Sequence, residues 1–199
     1  MKFIKSNFDD IIKLFVNQIG IAILSLVLYT ALNISDAPAI AIALKVLISV
    51  FSCVFYFCLI YIASWDFGAR DKIRIDSGSI GFVKAKGALI SLISNSINLV
   101  LAFGAIISIL IHIISPNEVS YDAFAVFNLF LRFINSMFIG IIQFVFSSIK
   151  DNVNAYYLWQ SILYFLAPII TILISHFGYE MGMKEKRIFG SLFTSITKK

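Results

Sequence analysis

Five long apolar runs alternate with polar breaks along this chain, at 11–33, 39–64, 87–114, 123–149 and 158–177. A helix rises 1.5 Å per residue, so about 20 apolar residues cross the roughly 30 Å of hydrocarbon in a bilayer. Every run reaches that length. The expected fold is all-α: a polytopic helical membrane protein with four or five transmembrane helices, forming a single integral membrane domain over 1–199.

The polar breaks carry the orientation signal. The break 65–87 sets Arg70, Lys72, Arg74, Lys84 and Lys86 against Asp66, Asp71 and Asp76. The turn Ser35–Pro38 has no Lys or Arg, and Ser115–Asp122 is acidic without a cation. Cytoplasmic loops concentrate Lys and Arg, so 65–87 is expected as a cytoplasmic basic loop, with the other two breaks outside and the N-terminus inside. Ahead of the first run, Phe3, Ile4, Phe8, Ile11, Ile12 and Phe15 recur at helical spacing opposite Lys5, Asp9 and Asp10. That pattern suits a helix lying on the lipid surface. A cleaved signal peptide is the competing reading, but Asp9 and Asp10 spoil its positive region and Ala31-Leu32-Asn33 is a poor cleavage site.

The basic tail 178–199 carries Lys184, Lys186, Arg187, Lys198 and Lys199 against Glu180 and Glu185, and reads as inside. Five crossings from an inside start end outside, so the count and the charges conflict. The fourth run holds Asn128, Arg132, Ser136, Gly140, Gln143, Ser147 and Asp151 at intervals of three and four, one stripe along a helix. Such a helix either lies in the interface or re-enters, its stripe toward water, or it crosses with the stripe turned into the bundle. Both readings stand at this stage.

Two pieces of the chain echo each other. Trp65-Asp66-Phe67-Gly68-Ala69-Arg70-Asp71-Lys72 and Tyr179-Glu180-Met181-Gly182-Met183-Lys184-Glu185-Lys186 both read aromatic, acid, apolar, Gly, small or apolar, base, acid, Lys. Each follows a long run. The aromatic anchors a helix end at the interface, and the glycine either caps the helix or lets another helix approach. Weak repeats of this kind build many transporter folds, and a parallel duplication places both pieces on one face. Over eight residues the first piece resembles the acid-x-Gly-x-Arg-acid loop of major facilitator transporters, whose twelve spans exceed this chain; the resemblance implies nothing further here.

Composition narrows the class. Of the 199 residues, 60% are hydrophobic and 14% charged, where soluble domains carry about 25% charged residues. The mean hydropathy is +0.93. The net charge of +5 sits beside apolar runs and is interleaved with acids, which fits anionic lipid and orientation signals rather than nucleic acid. Cys53 and Cys58 share one apolar run without zinc or redox spacing. No metal or cofactor is expected.

Chemistry inside the runs is sparse. Small and polar stripes, such as Ser91, Asn95, Asn98, Ala102 and Ala105, serve close helix packing. Lys45, Asn95, Asn98, Arg132 and Gln143 stand out as polar intramembrane candidates, because a charge near mid-bilayer costs at least about 2.5–3.5 kcal/mol. Lys45 and Arg132 lie close enough to run ends to snorkel. Every Asp and Glu lies in a loop, a flank or the tail, which counts against a proton-coupled carrier but leaves room for a site for an anion or lipid phosphate. His112 and His176 form no paired motif, no Gly-x-Ser-x-Gly surrounds Ser136 or Ser161, and no Walker loop occurs, so an enzyme is not expected.

The functional expectation is a non-enzymatic subunit or scaffold. It docks a partner protein, or a second copy in a homo-oligomer, through Asp66, Gly68, Arg70, Asp71, Glu180, Gly182, Lys184 and Glu185. The alternative is a small transporter or channel with a polar path between the third and fourth runs. The compact loops point to a cell membrane, and to a bacterial inner membrane in particular.

Overall fold

The computed structural model describes residues 2–31, 38–149 and 152–186. Residues 32–37, which hold most of the turn expected on the outside, Lys150, Asp151 and the tail from Arg187 lie outside the described residues. Within them every regular element is helical: α1 (Lys2–Ser6), α2 (Phe8–Ala31), α3 (Pro38–Asp76), α4 (Lys86–Ser94), α5 (Ser96–Ile114), α6 (Glu118–Ile134), α7 (Ile139–Val145) and α8 (Val153–Met183). Two single 3-10 turns, Ser136–Phe138 and Ser147–Ile149, flank α7. Among the described residues, stretches of α2, α3, α5 and α8 are long and apolar enough to cross a membrane. The protein is a polytopic helical membrane protein.

Two boundaries differ from the sequence expectation. The polar stretch after Ser64 is not a loop at first, because α3 continues for about three turns, to Asp76. Phe67 and Asp71 bury one face of that extension, and Lys72 pairs with Asp76 one turn on. It stops at Gly78, whose φ of 72° is open to glycine. Ser79 N–H then donates to the Arg74 carbonyl and Gly78 N–H to that of Ile75, both at 2.9 Å, closing the last carbonyls as a Schellman motif does. The third run is interrupted at Asn95, between α4 and α5.

The helices group into two compact units, described here one at a time. The first contains the chain up to Leu14, Phe57–Ser94, and the chain from Thr171. In it α3 and α8 run in the same direction. Ser64 meets Ser175, Gly178 lies against Tyr61, and Gly182 lies against Trp65 and Ala69. The start of α2 joins the same end through Asp10 with Arg70 and Lys13 with Asp66. The start of α2 and the end of α8 thus share one side. Five crossings would place them on opposite sides, whereas four return the chain to where it began. The fourth run is a bent pair: α6 and the Ser136–Val145 stretch meet at 83° at the break, the form of a broken span or a re-entrant loop.

The second unit contains Phe15–Tyr56 and Asn95–Ile170. Its core joins Ala102, Ala105 and Ile109 of α5 to Phe124 and Leu131 of α6, Ile142 of α7 and Tyr164 of α8. The pattern on α5 is the reverse of a soluble helix. Asn98, Ala102, Ala105 and Ser108 are buried, while Ile97, Val100, Phe103, Ile107 and Ile114 are exposed, Val100 by 70%. Small and polar side chains inside with large apolar ones outside is the arrangement that lipid, not water, stabilises. Gly104 admits the ring of Phe127, which seats α6 on α5.

Candidate functional site

The paired motifs meet in the first unit. A methyl group at Gly68 would collide with the Tyr179 carbonyl and sit 3.0 Å from Met183 N. One at Gly182 would collide with the Trp65 carbonyl and sit 2.9 Å from Ala69 N. Each glycine therefore faces the carbonyl three residues before the other and the nitrogen one residue after it. That reciprocity is what two parallel helices crossing at equivalent residues produce. The glycines are not caps; they bring two backbones into contact, as small residues do in lipid. Gly178 extends the seam against Tyr61, and Ser64 and Ser175 hydrogen-bond across it at 2.8 Å. Gly87, at the start of α4, packs on Tyr179, and its carbonyl accepts from Ser175 Oγ at 3.2 Å.

Beside the seam lies a buried charge cluster. Asp71, only 3% exposed, accepts from Lys86 Nζ and from the Tyr179 hydroxyl, both at 2.7 Å on Oδ2. Its two donors come from α4 and α8, so one carboxylate ties three helices. Charged groups this buried are stable only when paired, and removing one partner leaves the other charge uncompensated. The remaining charges are more open. Arg70 binds Asp10 at 2.6 Å, and Lys13 approaches Asp66 at 3.9 Å. Lys13 and Arg70 both lie over the Phe67 ring. Glu180 and Lys184 pair along α8, and Trp65 Nε1 donates to the Lys186 carbonyl at 2.8 Å.

The eight motif residues thus divide by environment. Gly68 and Gly182 form the seam and Asp71 lies beneath it. Asp66 and Arg70 face the start of α2 while keeping about half of each side chain open, at 48% and 50%. Glu180 and Lys184 are open on the end of α8. Glu185 follows in the left-handed region, at φ 56°, where Lys186 N–H to Met181 O and Glu185 N–H to Gly182 O close the helix.

The five intramembrane candidates also separate. Asn98 and Asn135 exchange two amide hydrogen bonds, at 2.8 and 3.1 Å, both side chains buried. They join α5 to the break of the fourth run. Asn95 is buried at the junction of α4 and α5. Ser136 Oγ donates to the Ala22 carbonyl at 2.6 Å, and Gly140 N–H donates to Ser49 Oγ at 2.8 Å. Gly140 N–H, freed by the break, is thereby satisfied, and the Met137 carbonyl within the break accepts from Cys53 Sγ at 3.4 Å, as irregular chain buried in a membrane protein requires. Gln143 accepts from Tyr29, whose ring carries Lys45 Nζ at 5.0 Å. Arg132 and Gln143 line one cavity with Val153, Tyr156 and Tyr157.

Sequence reasoning missed Lys86, Tyr179 and Asn135 as network members. The Asn135-Ser136 pair inside an apolar run was the available sign, since both side chains compete for backbone groups and favour breaks. Nothing local marks Lys86 as buried. No family model, no curated protein and no solved structure matches this chain.

Proposed function

We propose that this membrane protein is a non-enzymatic subunit or scaffold of the cell membrane, in a bacterium the inner membrane. Its charged end faces the cytosol and docks a partner protein. The observation carrying this reading is the reciprocal glycine seam, which holds the ends of α3 and α8 backbone to backbone. Two charged motifs are then presented at fixed spacing on one face. A pre-ordered face loses less freedom on binding, which favours recognition. The seam and Asp71 form its support, and Asp66, Arg70, Glu180, Lys184 and Glu185 form its contact surface. The basic residues of 65–87 support the cytosolic orientation.

The test uses charge reversal on the open residues, because Asp71 and the glycines are structural. The full chain is purified from its native membrane after mild crosslinking. Wild type is expected to retain one stoichiometric partner, and Glu180→Lys with Glu185→Lys to lose it at unchanged thermal stability. Equal recovery with both proteins would overturn the proposal.

A second reading, a small transporter, is favoured by the polar cavity at Arg132 and Gln143 in the broken fourth run. Solute flux in liposomes containing the purified chain alone would support it over docking.

A further inference from the structure

The second unit holds two cations that the docking reading does not use. Lys45 and Arg132 line separate cavities that share Gln143. A cavity of about 230 Å³ is lined by Lys45, Gly140, Gln143 and Ser147 among others. Another, of about 320 Å³, is lined by Arg132, Gln143, Val153, Tyr156 and Tyr157. Gln143 belongs to both. No carboxylate occurs among the described lining residues of either.

The charged groups lining these cavities are both cations. Lys45 rests on the face of Tyr29 instead of an acid. Arg132 Nε is buried without a hydrogen-bond partner among the described residues, and the neighbours of its guanidinium include the hydroxyls of Tyr156 and Tyr164. Gln143 spends its Oε1 on the Tyr29 hydroxyl, so what it has left to offer is the amide N–H₂. Two cations that meet no carboxylate among the described residues are costly within a bilayer, and an anion would offset both. Guanidinium geometry matches phosphate oxygens two at a time, while an ammonium supplies a point charge beside it. The residues come from the end of α2, the first turns of α3 and α8, the last turn of α6, and α7.

We propose that Lys45, Arg132 and Gln143 form a binding site for a phosphate-type anion. The ligand is a phosphate ester carried by a lipid headgroup, or phosphate free in solution. This site is independent of the docking face, since it shares no residue with it.

The test is native mass spectrometry of the full chain released from neutral detergent. Three separate additions are compared: phosphatidylglycerol, the zwitterionic phosphatidylcholine, and inorganic phosphate. Wild type is expected to retain phosphatidylglycerol over phosphatidylcholine, and Lys45→Gln with Arg132→Gln to weaken that retention by about tenfold or more. Lys184→Gln, outside the site, is expected to change nothing. Phosphate that binds wild type alone and displaces the lipid identifies the free anion as a ligand; phosphate without effect identifies the lipid. Should the double variant fail to fold, Arg132→Lys keeps the charge and loses the fork, and weakened retention at unchanged thermal stability carries the same conclusion. Retention identical in wild type and in the folded variants, or retention of neither lipid nor phosphate by wild type, overturns the proposal.

Discussion

Replacing Gly182 by Ala tests the seam directly. The added methyl would meet the Trp65 carbonyl oxygen and lie 2.9 Å from Ala69 N and 3.0 Å from Trp65 C. All three are backbone atoms of a packed helix, so no side chain can swing away. The helices must part until carbon contacts return to about 3.5–4.0 Å. Parting them also stretches the 2.8 Å bond between Ser64 and Ser175. Overpacking of this kind costs about 1–3 kcal/mol, and backbone on both sides places it at the upper end. Alanine returns about 0.5–1 kcal/mol in helix propensity, leaving a net loss of about 2 kcal/mol. Gly68→Ala meets the mirror-image contacts and should lose a similar amount. The double variant should lose less than the sum, because helices already parted by one methyl accommodate the second. Gly20→Ala is the control. No atom lies within 4 Å of a methyl group there, so it should gain about 0.5–1 kcal/mol from propensity alone. Reversible unfolding in mixed detergent, titrated with a denaturing surfactant, reads all four. If Gly182→Ala and Gly20→Ala unfold at the same surfactant fraction, the close-approach argument is wrong.

Other outcomes follow from the same contacts. Lys86→Met leaves Asp71 buried without its cation and should cost about 3–5 kcal/mol, and adding Asp71→Asn should recover part of it; the same unfolding titration measures both. Asn98→Ala leaves the buried Asn135 Oδ1 without its donor, while Nδ2 keeps the Leu131 carbonyl, and should cost about 1–3 kcal/mol, whereas replacing both with apolar residues of similar size should cost less than the two single losses together. Cysteines at Lys13 and Lys184 should both be labelled from one side by a membrane-impermeant reagent, and one at exposed Val119 from the other; labelling of Lys13→Cys and Lys184→Cys from opposite sides would mean an odd number of crossings.

Much of this architecture was written in one dimension. Period and length of the apolar runs are local, and lipid rewards any helix of about 20 apolar residues, so the runs 11–33, 39–64, 87–114 and 158–177 each overlap a helix long and apolar enough to cross, the third only from Ser96 on. The stripe Asn95, Asn98, Ala102 and Ala105 could be read as a buried face for the same reason. Charge alone could not decide between four crossings and five, because the fourth run is apolar enough for either. Contacts between residues far apart in sequence, Arg70 with Asp10 and Gly182 with Trp65, bring both described ends together, the arrangement that an even number of crossings produces. The likeness of the two motifs was visible in the residues, but that their glycines face each other is a property of two helices together. The burial of Asp71 likewise depends on Lys86 and Tyr179 arriving from other helices, and no pattern within Trp65–Asp76 distinguishes it from its exposed neighbour Arg70.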